Sequence, residues 1–159
     1  MIVVSDTSPL IALHAIGRLD LLETLYSRIL IPDAVQREYL RQDVPDSRPR
    51  ERIWLAGRSV SDPQTAAILR MQLGAGEAES IALSLEVKAD ILLMDEKRGR
   101  HVAERLSVRY LGTAGVLLHA KQRGVISALE PELDALSSQA DFWLSDSVRR
   151  TLLAFAGEA

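Results

Sequence analysis

The sequence contains no cysteine. That removes disulfides, thiolate zinc sites and cysteine nucleophiles together, and makes a cytoplasmic protein the expectation. Aromatic residues are 4% of the chain, too few for base stacking to be the main mode of nucleic-acid binding. Positive charge is not in surplus: 19 Lys and Arg stand against 22 Asp and Glu, a formal net charge of −3. No global positive field draws a polyanion to the surface, which argues against a protein that coats DNA. It leaves room for a nuclease, whose acids meet phosphate through metal ions while local arginines hold the strand. No apolar run approaches the roughly 20 residues of a membrane span, so no membrane partner is expected. The start, MIVVSDTS, has neither a basic opening nor a long apolar segment, and does not read as a secretion signal.

What is present is ordinary globular composition, 47% hydrophobic and 26% charged over 159 residues. One domain over residues 1–159 is expected, with a core at about 1–125 and a C-terminal helical extension at about 126–159. There is no internal repeat and no low-complexity segment.

The stretch 74–100, GAGEAESIALSLEVKADILLMDEKRGR, carries the clearest pattern. A Gly-rich turn opens a short helix, and after a turn the apolar run 91–94 stops on Asp95. Such a run fits a strand buried on both faces. In open α/β sheets, ligands bind where strands of that kind end. Helical spacing groups Glu77 with Ile81, Ser84 and Leu85, and sets Glu79, Leu83 and Glu86 on the opposite, solvated side. Glu77 then heads the inward face, although its plainer role is to complement the helix dipole.

The same grammar recurs at the start: the run 2–4, then Ser5-Asp6 and Thr7-Ser8-Pro9. Thr7 or Ser8 is the expected N-cap of the next helix, with Pro9 at its first position. Asp6 is then either a turn or capping residue or a second acid at a strand end. A short helix over 20–25, a strand over 28–31 and a helix over 33–42 come next. In the last of these, Glu38 lies beside Val35 on the edge marked by Val35 and Tyr39; a salt bridge to Arg37 or Arg41 is its plainer role. Residues 43–52 read as a polar connection, 59–61 as an extended edge piece and 63–73 as helix. Beyond Asp95, a helix carries Lys97, Arg98, Arg100, His101 and Arg105, either a solvated basic face or a grip for phosphate. A strand over 108–111 leads to a helix closed by Gly124, and helices over 131–136 and 146–155 flank the apolar patch 142–144.

Strands alternating with helices in this way predict a three-layer α/β sandwich with a central, mainly parallel sheet. Asp6 and Asp95 then stand at strand ends, and Glu38 and Glu77 face them from helices. Four converging acids repel one another unless a cation sits among them, and oxygen-only ligands suit Mg²⁺ or Mn²⁺.

These pieces together resemble the PIN-domain ribonucleases, above all the VapC-like toxins of bacterial and archaeal toxin–antitoxin pairs. The resemblance rests on VVSDTSPLI, PDAVQREYL, GEAESIALS and ADILLMDEKRGR, in that order, and covers about the first 125 residues. It implies a Mg²⁺- or Mn²⁺-dependent endoribonuclease whose acidic quartet is Asp6, Glu38, Glu77 and Asp95. Thr7 or Ser8 would be the polar helper beside the first acid, and Lys97, Arg98 and Arg100 candidates for holding RNA. The implied partners are RNA, a small antitoxin protein and a second copy of the chain. Two departures stand out: Glu77 replaces the Asp found in many members, and the tail after Gly124 is longer than the minimal domain. A PIN-like module that binds nucleic acid or protein with little or no catalysis is the first alternative. An aspartate-based phosphoryl-transfer protein is the second, but SDTS lacks the second Asp of a DxD motif. No P-loop is present, and His14, His101 and His119 are too scattered for a Ser–His–Asp hydrolase.

Overall fold

A computed structural model of the chain describes residues 1–41 and 52–159. The connection expected over 43–52 therefore lies outside the described residues, Arg52 excepted. The strands are β1 (Val3–Ser5), β2 (Ile29–Ile31), β3 (Leu55–Gly57), β4 (Ile91–Leu93) and β5 (Tyr110–Leu111). The helices are α1 (Thr7–Ala15), α2 (Asp20–Tyr26), α3 (Asp33–Arg41), α4 (Pro63–Leu69), α5 (Ala75–Val87), α6 (Lys97–Arg105), α7 (Thr113–Gln122), α8 (Glu130–Gln139) and α9 (Asp146–Phe155).

All strand pairs are parallel, in the order β3-β2-β1-β4-β5. The chain builds outward from β1 in one direction, then returns to lay β4 on the other side of it. The gap between β1 and β4 is thus a topological switch point, where crossovers diverge and leave a crevice at the strand ends. Register puts Val4 opposite Leu92 and Ser5 opposite Leu93.

Alternation along these strands divides the core in two. Val3 and Leu93 pack with α1, α2, α7 and α8, while Val4, Leu92 and Met94 pack with α4, α5 and α6. Each of these side chains is essentially inaccessible, which is why the strands read as unbroken apolar runs. Burying one Val or Leu of this kind stabilises by about 1.5–3 kcal/mol. The C-terminal α8 belongs to the first core through Leu133 and Leu136.

Three local expectations are corrected. The edge strand is β3 at Leu55–Gly57, not the segment 59–61: β2 pairs Ile29 with Leu55 and Ile31 with Gly57. Ala and Gly are poor strand formers, so backbone pairing rather than propensity makes this strand. The first helix starts at Thr7 with Asp6 at its N-cap, so neither Thr7 nor Ser8 caps it. Finally, α5 has no solvated side over its first ten residues. It is covered by α3 and α4 as well as by β1 and β4, so Glu79 and Leu83 are buried, while Leu85 is exposed and Glu86 is exposed as expected. A helix enclosed from several directions loses the periodicity that would report its phase.

Candidate functional site

The carboxyl ends of β1 and β4 meet through one hydrogen bond, from Asp6 N–H to the Leu93 carbonyl at 2.9 Å. Asp6 comes directly after β1 and is only 3% exposed. Burial pushes its carboxyl up to about 7 from an ordinary 3.8; a Thr7 backbone hydrogen bond opposes this, while Glu77, Glu38 and Asp95 add to it. A carboxyl there is half protonated near neutral pH. The three acids named by the sequence thus share one electrostatic neighbourhood with Asp6.

Glu38 reaches the same place from α3. Its Oε2 accepts from Thr7 Oγ1 at 2.5 Å, and its Oε1 accepts from Gly76 N–H at 3.0 Å. Both oxygens therefore turn to α1 and α5. Gly76 is required for this approach: a Cβ there would stand 2.5 Å from Glu38 Oε2. Thr7 is buried and Ser8 exposed, so of the two hydroxyls only Thr7 touches the acids.

Glu77 sits in the first turn of α5. Its Oε2 is buried without a hydrogen-bond partner among the described residues. Gly99 of α6 closes over it so tightly that a Cβ would lie 2.9 Å from that oxygen. Burial, then Glu96 and Glu38, raise this carboxyl above its usual range, while Gly74 and Arg98 pull it back. An orphaned buried carboxylate oxygen is costly and calls for an explanation.

Asp95, two residues past β4, is held by one partner. Thr113 N–H donates to Oδ1 at 2.7 Å and Thr113 Oγ1 to Oδ2 at 2.6 Å. Burial raises the Asp95 carboxyl; the Thr113 bonds and Arg100 temper the rise, and Glu96 adds to it. Sequence reasoning passed over Thr113. Its signal was available, since Gly112-Thr113 succeeds β5 as Asp6 succeeds β1.

Glu79 belongs elsewhere. It is buried, accepts Arg70 Nη2 at 2.6 Å and Ala34 N–H at 3.1 Å, and so caps the start of α3. The expectation of a solvated Glu79 is wrong because α3 and α4 cover that side of α5.

Beside the acids a cleft of about 850 Å³ runs past Glu77, Glu96, Lys97, Arg98, Arg100 and His101. Lys97 and Arg98 are exposed in it, and Arg98 Nη1 donates to the Gln72 carbonyl at 3.3 Å. Arg100 lies over the Tyr110 ring, 5.6 Å from its centroid. Among the described residues no three Asp, Glu or His side chains are gathered closely enough to hold one ion as they stand. No described helix is long and apolar enough to cross a membrane.

No curated protein and no solved structure gives a significant match to this chain. A family model described as a PIN domain, a class whose members are generally nucleases, matches residues 2–158. That match leaves no element of the fold outside it, from β1 to α9, and the chain belongs to the PIN-domain family.

Proposed function

We propose that the protein is a metal-dependent endoribonuclease, with Asp6, Glu38, Glu77 and Asp95 holding Mg²⁺ or Mn²⁺. One observation carries the reading: Asp6 is buried at a strand end, and that burial, reinforced by Glu77, Glu38 and Asp95, raises its carboxyl to about 7. That arrangement is unfavourable for the ionised protein alone and becomes favourable with a cation beside it. The donors are all oxygens, as a hard divalent ion requires, and Glu77 Oε2 supports the fit as a buried donor site without a partner. Bound there, the cation polarises a phosphodiester and lowers the pKa of a nearby water.

The chain's own residues do the rest. Thr113 fixes Asp95 in one orientation, and Thr7 with Gly76 fixes Glu38, so two acids are preorganised before substrate arrives. Lys97, Arg98 and Arg100 line the cleft beside Glu77 and hold the RNA backbone by charge. The same reading makes the protein a cytoplasmic toxin, restrained by a small antitoxin and working as a homodimer. Incubation of purified protein with labelled RNA, with Mn²⁺ or with EDTA, tests the chemistry: cleavage is expected only with the metal. Expression in a host should slow growth, and equal toxicity from Asp6→Asn would remove the catalytic origin of that effect.

A second reading, a PIN-like module that binds nucleic acid or protein without cutting, draws on a specific observation. Both oxygens of Glu38 and both of Asp95 are already engaged within the chain. RNA retained but uncut in Mn²⁺ would favour that module over the enzyme.

A further inference from the structure

A smaller cavity of about 260 Å³ opens on the other side of Asp95. One wall is apolar: the aromatic Phe142 with the aliphatic Leu144, Val148 and Leu152, all from the tail after Gly124. Its rim is polar and aromatic, made by Asp95, Arg100 and Tyr110. Arg100 and Tyr110 also line the large cleft, where Lys97 and Arg98 stand with Glu77, Glu96 and Glu104, so the stacked pair stands between the two spaces. Tyr110 is 37% exposed although it belongs to a strand of the central sheet.

We infer that this cavity takes one unpaired nucleobase of a single-stranded RNA whose backbone crosses from the large cleft over the Arg100–Tyr110 pair. The inference rests on the nuclease reading and adds the substrate class and a specificity element to it. A nucleobase has two apolar faces and a polar edge. The apolar wall matches a face, and the Arg100 guanidinium supplies donors for ring nitrogens and carbonyls at the edge. A duplex keeps its bases stacked and paired, so only a single strand or a loop can offer one here. The neighbouring phosphates then fall toward Lys97, Arg98 and His101 in the cleft. Imperfect packing of α9, which has no buried residue, could also leave a gap, but such a gap needs no charged rim. The C-terminal tail gains a role by this inference: it builds the wall that distinguishes substrates.

The test is an abasic scan. Short single-stranded RNAs, each lacking one base, are titrated by fluorescence anisotropy against the Asp6→Asn variant, which leaves them uncut. Loss of the base at one position should weaken binding by about 10-fold to 100-fold, as lost base stacking does. Val148→Trp, at a half-exposed position, fills the cavity and should weaken binding of the complete RNA by a similar factor. It should also abolish the response to the abasic position, because the two changes remove the same contact. Tyr110→Ala, at an edge strand, should behave alike, and melting temperatures confirm that both variants are folded. A flat scan, or a Val148→Trp variant that melts higher and binds RNA unchanged, would overturn the pocket and leave the nuclease reading standing. Failure of the wild type to cut any RNA in Mn²⁺ would instead remove that reading, and the pocket with it.

Discussion

Replacement of Asp6 by Asn separates the electrostatic cost of the acid from its chemistry. Asn has nearly the same shape and keeps an oxygen to accept the Thr7 backbone bond, so the fold at the end of β1 should persist. The Asp6 carboxyl is raised from 3.8 to about 7, mainly by burial and further by Glu77, Glu38 and Asp95. At 1.36 kcal/mol per pH unit, ionised Asp6 therefore costs the metal-free fold about 4 kcal/mol. The sign is set by which state binds the proton. The folded state holds it more tightly, so this stabilisation is complete below about pH 3.8 and is lost as pH rises through about 7. In EDTA, Asp6→Asn should exceed the wild type by about 4 kcal/mol at about pH 8, and by only about 1 kcal/mol at about pH 4.5. For a chain of this size, the larger figure corresponds to about 10 °C in melting temperature. Thermal and urea melts at both pH values measure it, and Mn²⁺ should narrow the gap at the higher pH by stabilising the wild type alone. The variant should cleave no RNA. Equal stability at about pH 8, or a gap that does not shrink on acidification, would show that Asp6 is not held near neutrality by its surroundings.

The remaining expectations concern the supports around the acids. Gly76→Ala puts a Cβ 2.5 Å from Glu38 Oε2 and must displace that carboxylate; cleavage should fall by about 10-fold or more with little change in urea midpoint. Thr113→Val keeps the backbone donor but removes the hydroxyl from Asp95 Oδ2, and should lower kcat by about 10-fold to 100-fold. An unchanged kcat in that variant would mean the backbone bond alone positions Asp95. Glu77→Gln should cut turnover by about 10-fold to 100-fold and raise the metal-free melting temperature, because an acid already raised by burial and Glu96 is neutralised. Glu79→Ala should cost about 2 kcal/mol in urea unfolding, through loss of the Ala34 cap and the Arg70 pair, while the folded fraction cleaves RNA normally.

Asp6 and Asp95 were legible because each comes just after a short apolar run that had to be a doubly buried strand, and a strand of that kind delivers its next residues to a sheet edge. Glu38 was readable from its position beside Val35, but its partners were not, since Thr7 and Gly76 come from distant parts of the chain. The choice of Glu77 over Glu79 as the site-facing acid agrees with where the two carboxylates lie, yet the reason given for it does not hold. Helix phase assumed a wet side to α5, and the covering by α3 and α4 removes that side. Glu79 is buried too, on an arginine and a helix start instead of the acids. β3 was misplaced because Leu-Ala-Gly carries no strand preference, and pairing with β2 overrides it. Thr113 was passed over although it follows β5 much as Asp6 follows β1; that its hydroxyl anchors Asp95 shows only in what stands opposite it in space.

The sheet order also sets a schedule for the nascent chain. β1 and its sheet neighbour β4 are made far apart in time: Ile2 N–H bonds Asp90 Oδ2 across 88 positions of sequence. Closing so long a span is slow compared with forming any of the helices between. Until it closes, one edge of β1 has no strand partner. A chain halted before β4 carries Asp6, Glu38 and Glu77 but lacks both Asp95 and the strand that sets Asp95 beside Asp6.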